Sequence, residues 1–212
     1  MQYVFITSNE WFETTSLKNP ICGLDHNLDK IYPEYYSVDY DLKIVATKPA
    51  TPQEKAFTGY NDYSEKYGQI DISAIDDAVG NSTAKKVYLN GFNQNHFEYI
   101  APLIKDTTEI LYLFKCNKVR NFSALSEFRK LKCVFMYGNS ALERLWNMHQ
   151  NDELKILSFV YVTKLQYIDT LEDSRLEYFS YDSSDNCGNK REILFDKSVF
   201  QRIETLKHLY LI

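Results

Sequence analysis

The nine residues LKCVFMYGN, at positions 131–139, have an apolar spacing that fits neither an amphipathic helix nor a half-buried strand. Leu131, Val134 and Met136 are apolar at offsets 0, 3 and 5, and Asn139 follows at offset 8. A helix would space its apolar residues three and four apart, and a strand would alternate apolar with polar residues. The pattern is therefore informative only if it recurs in the chain.

The same spacing occurs in six stretches of the sequence. Successive stretches begin 24, 23, 23, 22 and 30 residues apart, and the last interval contains a polar insertion near residues 181–192. A repeat of nearly constant length in this range is typical of a solenoid, in which each unit packs against its neighbours. The six stretches begin at Ala84, Thr108, Leu131, Leu154, Leu176 and Leu206.

The second half of each unit also repeats, with apolar residues three apart. In the first unit Phe97, Ile100 and Leu103 occupy these places, displaced by two residues. We predict that all these side chains point into one shared core, because a single unit buries too few apolar groups to offset the entropy of ordering it. The regular triplets are Val119, Phe122 and Leu125; Leu142, Leu145 and Met148; and Leu165, Ile168 and Leu171.

Over residues 70–212 the sequence resembles the leucine-rich repeat family, whose unit reads LxxLxLxxN/CxL. At offset 8, Asn139 and Cys116 fit that unit. Phe92 and Val162 do not, and we expect less regular turns there because a side chain that can bond the backbone of the turn is missing. The resemblance implies an α/β leucine-rich-repeat solenoid of about six strands, with a parallel sheet on the concave face and helical or 3₁₀ returns.

In the leucine-rich repeat family, partners often bind the concave sheet through side chains that lie between the buried positions. Here those side chains include an aromatic column, and a large aromatic patch rimmed by polar groups is typical of a protein-binding surface. Two other roles stay open for the column, which are stacking that stabilises the sheet and a surface on which the N-terminal segment folds. The candidate partner-binding residues are Tyr88, Tyr112, Phe114, Phe135, Tyr137, Val160, Tyr178 and Tyr210. Beside them, at offset 1, lies a column of mixed charge: Lys85, Glu109, Lys132, Lys155, Glu177 and Lys207.

Residues 1–69 do not fit the repeat. We predict that they form an N-terminal α+β cap, or a small separate module, beside the solenoid at 70–212. The stretches QYVFITS and YDLKIVATK read as strands, and a helix is expected after Thr51, a suitable N-cap that follows Pro49. A cap is the simpler role, because terminal repeats expose an apolar end that must be covered.

The C-terminal end of the repeat must be covered in the same way. The stretch LKHLYLI, at 206–212, is an apolar strand with no polar cap after it, and an uncovered edge strand favours pairing with another chain. Three explanations stay open: the repeats dock end to end in a homodimer, a neighbouring segment covers Leu209 and Leu211, or the natural chain is longer.

The composition limits the classes of function. The 212 residues are 44% hydrophobic, and the net charge of −5 argues against broad nucleic-acid binding, which usually needs a basic face. No apolar window is long enough to span a membrane, and the N-terminus does not read as a secretory signal. The four cysteines form no CxxC pair, so we expect a reduced, cytoplasmic protein with free thiols.

No motif for catalysis, cofactor binding or metal binding is found. The sequence contains no GxxxxGK[ST], GxGxxG, HExxH or GxSxG. Asp76 and Asp77 are adjacent, but a solvated turn explains them more simply than a cation site does. Cys22 and His26 have no third group to orient them, and His96 is expected on the surface. We therefore predict no catalytic residue, no metal ligand and no cofactor.

These observations predict a non-enzymatic, cytoplasmic scaffold that binds another protein through its concave aromatic face, and that binds neither nucleic acid nor membrane. A more specific form of this hypothesis is an immunity protein that neutralises a bacterial toxin, since a short acidic chain suits that role. The alternative is a structural assembly subunit that self-associates through its repeat ends, as a homodimer built on the C-terminal edge strand.

Overall fold

The computed structural model describes residues 2–4, 31–32, 40–46, 48–49, 65–66, 70–184 and 189–212. Its strands are β1 (Gln2–Val4), β2 (Leu42–Val45), β3 (Lys48–Pro49), β4 (Glu65–Lys66), β5 (Lys86–Asn90), β6 (Ile110–Phe114), β7 (Cys133–Tyr137), β8 (Ile156–Val160), β9 (Tyr178–Asp182) and β10 (His208–Leu211). Its helices are α1 (Ile72–Val79) and α2 (Gln94–Ile104), and the 3₁₀ helices η1 (Ser123–Glu127), η2 (Asp169–Asp173) and η3 (Lys197–Arg202).

Eight of these strands form one parallel sheet. Their order is β1-β2-β5-β6-β7-β8-β9-β10, so the strands follow one another across the sheet in chain order. Every neighbouring pair is parallel, and β3 with β4 forms a separate antiparallel pair. Parallel neighbours need a return connection, and the helices and 3₁₀ helices lie in those connections. The chain is therefore of the α/β class.

The register of the sheet follows the repeat in the sequence. Tyr88 pairs with Tyr112, and Tyr112 pairs with Phe135, so the aromatic residues at offset 4 lie side by side on adjacent strands. The same column continues through serines on β8 and β9 to Tyr210 on β10. The predicted register is confirmed from β5 to β10, and a slip of one residue would have turned every side chain to the opposite face.

The returns explain why the apolar spacing differs along the chain. Near η1, Phe122 and Leu125 are three residues apart and both buried, as expected for a helix with three residues per turn. In α2 the spacing is that of an α-helix, and the prediction that Leu103 points into the core is wrong. Leu103 is 43% exposed, because one further step of about 100° brings Ile104 to the buried side instead. The apolar residues that α2 buries are Phe97, Ile100, Ala101 and Ile104.

The main core lies between one face of the sheet and the returns. Every apolar residue predicted to point inward from β5 to β9 is buried, including Leu111, Val134 and Phe159 with no exposed surface. Burying a side chain of this size stabilises the fold by about 1.5–3 kcal/mol. On β10, at the edge of the sheet, Leu209 is by contrast 42% exposed.

The turns after the strands are more regular than the sequence predicts. Gly91, Lys115, Gly138 and Tyr161 follow four successive strands, and all four have a positive φ, between 50° and 70°. Their N–H groups donate to the last residue of the next strand, which continues the ladder beyond the strand end. The expectation of irregular turns near Phe92 and Val162 is therefore wrong. The backbone ladder supplies the bonds that a polar side chain at offset 8 was expected to provide.

Asn139 does fulfil its expected role. It has no exposed surface, its Oδ1 accepts a hydrogen bond of 2.7 Å from the Cys116 N–H, and its Nδ2 donates at 3.2 Å to the Leu113 carbonyl. One side chain thus satisfies two buried backbone groups of the preceding unit.

The sheet continues into the N-terminal third of the chain. β1 and β2, which lie within the two stretches predicted as strands, extend the sheet beyond β5, so it contains eight strands where about six were expected. Asp41, just before β2, bonds to the start of the first repeat: its Oδ2 accepts hydrogen bonds from the N–H groups of Lys85 and Lys86. The sheet therefore crosses the predicted boundary between residues 69 and 70. The helix predicted after Thr51 lies outside the described residues.

Candidate partner-binding face

The second face of the sheet, which we call the aromatic face, carries its own hydrophobic cluster. It consists of the side chains that alternate with the core residues on β5–β10, and it includes all eight candidate binding residues. Tyr112 stacks on Phe135 with a ring separation of 4.5 Å, and Phe114 stacks on Tyr137 at 4.6 Å. Such pairs are worth about 0.5–1.5 kcal/mol beyond the area that they bury. Stacking along the sheet is therefore one role of these rings.

The eight candidate residues differ sharply in exposure. Five of them are buried: Tyr88, Tyr112, Phe135, Val160 and Tyr178. The other three are half-buried: Phe114, Tyr137 and Tyr210. A buried ring cannot meet a partner without a rearrangement, so only the second group can take part in binding as the chain stands. Whether any of the eight binds a partner stays a prediction.

Residues of the N-terminal third pack on this face. The Tyr40 ring lies 5.0 Å from that of Tyr88 and 4.9 Å from that of Tyr112, near one end of the sheet. Near the other end, Tyr32 packs edge-on against Tyr178 at 6.1 Å, and its hydroxyl donates at 3.2 Å to Glu177. Intramolecular cover, one of the three roles left open by the sequence, is thus real at both ends of the aromatic face.

Lys43 is a buried cation in the same column. It lies on β2 opposite Tyr88 and is only 2% exposed. Its Nζ is 4.5 Å from the centre of the Tyr88 ring and 5.7 Å from that of Tyr40, which places the ammonium group among ring faces. Burial lowers the pKa of Lys43 to about 8. The sequence pattern did not reveal this, because a lysine between two core residues of a strand usually faces solvent.

Polar atoms near the centre of the aromatic face are incompletely satisfied. Asn90 has no exposed surface; its Nδ2 donates at 3.3 Å to the Tyr88 hydroxyl, and its Oδ1 has no hydrogen-bond partner among the described residues. The Ser158 hydroxyl is buried as well, and no group in the described part of the chain bonds it. The aromatic face is therefore less well adapted to burial than the core face, where the Oδ1 and the Nδ2 of Asn139 each have a partner.

The charged column at offset 1 forms a row of ion pairs along one edge of the aromatic face. Glu109 bridges Lys85 at 2.9 Å and Lys132 at 2.6 Å, and Glu177 bridges Lys155 at 3.0 Å and Lys207 at 2.7 Å. The hydrogen bond from Lys207, with those of the neighbouring lysine, lowers the pKa of Glu177 to about 2. The six residues of this column carry four positive and two negative charges, so the ion pairs leave a small positive excess along this edge.

Apart from Tyr210, the half-buried aromatic residues of this face form a strip at the carboxyl ends of the strands. We call Phe114, Lys115, Tyr137 and Tyr161 the carboxyl-end strip; all four are half-buried. The Tyr137 and Tyr161 rings meet edge to face at 5.1 Å, and the Lys115 Nζ lies 5.5 Å from the Phe114 ring. Sequence reasoning missed Tyr161 because it occupies a turn position, whose side-chain direction depends on its positive φ.

The residues considered for chemistry are not assembled into a site. Among the described residues, no three His, Cys, Asp or Glu side chains are grouped as metal ligands. Asp76 accepts hydrogen bonds from the Tyr99 hydroxyl. The prediction that His96 lies on the surface is wrong, since it is 8% exposed and its burial lowers its pKa. Cys22 and His26 lie outside the described residues.

No protein-family model matches this chain, and no curated protein matches it significantly. In the described part of the chain, none of the helices combines the length and the hydropathy needed to cross a bilayer.

Proposed function

We propose that this chain is a non-enzymatic, cytoplasmic leucine-rich-repeat solenoid that binds another protein through the carboxyl-end strip. The single observation that carries the proposal is the strip itself: a row of three half-buried aromatic rings in mutual contact, flanked by Lys115, on a parallel sheet. Aromatic side chains of this kind contribute most of the binding energy at protein interfaces. The structural part of the proposal is supported by the register, which repeats every 22–24 residues over β5–β9.

The acidic net charge of −5 supports a protein partner over nucleic acid, whose phosphates would be repelled. Toxin neutralisation remains the more specific form of the proposal. If the captured partner is a toxic enzyme, then an equimolar amount of this chain should inhibit it.

The test compares wild type with the double variant Tyr137→Ala/Tyr161→Ala in capture from the native host. A partner identified with wild type is then purified, and its affinity is measured by calorimetry. We expect the double variant to bind at least about tenfold more weakly, which corresponds to about 1.4 kcal/mol. Tyr167→Ala is the matched control, because Tyr167 is an aromatic residue with 47% exposure outside the strip. Unchanged affinity in the double variant, at unchanged urea midpoint, would show that the strip is not the binding surface.

A second candidate function is self-association through the end of the sheet. It is favoured by the exposure of Leu209 at 42% and Ile212 at 45% on or next to the edge strand β10. Solution mass as a function of concentration separates it from a strictly monomeric scaffold.

A further inference from the structure

One side of β10 is paired with β9, and no strand in the described part of the chain pairs with the other side. The His208 and Ile212 N–H groups donate to carbonyl groups of the preceding unit on the β9 side. Because backbone groups alternate in direction along a strand, the N–H and C=O groups of Leu209 and Leu211 point away from β9. The edge thus offers two donors and two acceptors to another strand.

The side chains of this edge are apolar on both faces of the sheet. Leu209 is largely exposed, Leu211 packs partly on the main core, and Tyr210 packs on Tyr178 in the aromatic cluster. The stretch 208–212 contains no Asp, Glu, Lys, Arg or Pro. Charged residues and proline are two usual means by which natural edge strands avoid pairing, and this stretch has neither of them.

We propose that β10 pairs antiparallel with β10 of a second copy of this chain, about a two-fold axis at Tyr210. In this register Leu209 of each copy lies opposite Leu211 of the other, and the outward N–H and C=O groups of these residues form four hydrogen bonds. The leucines meet on the core side, and the two Tyr210 rings meet on the aromatic side. A shift by one residue would place leucine opposite tyrosine and mix the two faces.

The backbone pattern and the side-chain pattern each exclude a shift by one residue, and a centre at Tyr210 is the arrangement that pairs both outward-facing leucines of β10 with leucines. A strand that is complementary to itself is what a two-fold interface requires, because the same patch must serve on both subunits. The inference rests on the second candidate function, self-association, and it is independent of binding at the carboxyl-end strip.

The first measurement is the solution mass from about 1 µM to about 500 µM, the range suited to a small interface. We expect the mass to rise from that of a 24.9 kDa monomer towards that of a dimer and no further. Leu209→Lys should keep the chain monomeric throughout, because its charge would face the second copy. Leu194→Lys is the matched control, since Leu194 is equally exposed but lies outside β10, and it should dimerise like wild type.

The second measurement tests the register by cross-linking, in a Cys22→Ser/Cys187→Ser background. Residues opposite each other at a non-hydrogen-bonded position have Cα atoms about 4.5 Å apart, within the range of a disulfide. Tyr210→Cys should therefore form a covalent dimer on mild oxidation. Leu209→Cys is the control, because its copies are related diagonally at about 7 Å or more and should cross-link several-fold less.

The outcomes separate the two levels of the inference. A monomer at every concentration overturns both the register and the second candidate function. A dimer whose Tyr210→Cys variant fails to cross-link overturns this register but leaves self-association standing. Masses that grow beyond the dimer overturn the two-fold arrangement, because they indicate head-to-tail pairing between β10 and the β1 edge.

Discussion

Both faces of the parallel sheet carry buried side chains, but the core face is chemically better suited to burial than the aromatic face. On the core face, apolar side chains repeat at fixed offsets, and both the Oδ1 and the Nδ2 of Asn139 are hydrogen-bonded to backbone groups. On the aromatic face, Lys43 is a buried cation, and the buried Asn90 Oδ1 has no partner within the ranges that the structure describes. The repeat thus builds one face as a core, whereas the other is a surface that residues distant in sequence partly cover.

The largest expected losses of stability come from replacing one buried phenylalanine on each face. Phe159→Ala in the core should lower the free energy of unfolding by about 3–5 kcal/mol, because it leaves a cavity. Phe135→Ala should cost as much if the aromatic face is packed like a core, since Phe135 is 1% exposed and stacked on Tyr112. Urea unfolding measures both. A cost below about 1 kcal/mol for Phe135→Ala would mean that the aromatic face opens readily in solution.

A smaller difference in stability is expected between variants of the two buried asparagines, one on each face. Asn139→Ala removes two hydrogen bonds and leaves the Cys116 N–H and the Leu113 carbonyl unsatisfied, so we expect a loss of about 2–3 kcal/mol. Asn90→Ala should cost less than about 1 kcal/mol, because it removes a single hydrogen bond of 3.3 Å, from the Nδ2 to the Tyr88 hydroxyl, and no described group bonds the Asn90 Oδ1. Equal losses in thermal or urea unfolding would contradict the difference that we draw between the faces.

The smallest expected effect is a stabilisation, in contrast to the losses above, and it concerns the replacement of Lys43. Its pKa is lowered from the ordinary 10.5 to about 8, so the folded state releases a proton that the unfolded state keeps between these values. Stability should therefore rise as pH increases from about 8 to about 10.5, and the burial cost should be fully present below pH 8. We expect Lys43→Met to be about 1–3 kcal/mol more stable than wild type at pH 7, and the gain to shrink at pH 10.

The quantity to compare is the difference in free energy of unfolding between wild type and Lys43→Met at each pH. Effects of other groups, which both proteins share, cancel in this difference. Lys86→Met is the control, since Lys86 is a partly exposed lysine at the start of β5 for which no such gain is expected. A pH-independent difference would contradict a buried ammonium group at Lys43.

The pattern in the sequence predicted the strand register well, because it reports which side chain faces the core at each offset. Val134 and Met136, for example, lie in the core, and Phe135 between them lies on the other face. It failed at Leu103, because the same apolar residues are compatible with a 3₁₀ return and with an α-helix until the packing of neighbouring returns selects one.

The candidate site was only partly predictable. The alternation placed all eight candidates on one face, but the burial of Tyr88 and Tyr178 depends on Tyr40 and Tyr32, which no local pattern connects to them. Tyr161 was missed for a different reason, since its ring reaches the carboxyl-end strip only through a turn with positive φ.

The sequence by itself determined the length of the repeat, the register of β5–β10 and the residues that face the core, because apolar periodicity is a local property of the chain. Only the tertiary structure decided how far the aromatic face is covered, why Lys43 is buried, and that β1 and β2 continue the same sheet. Those features arise from contacts between segments far apart in the chain, and no local spacing records such contacts.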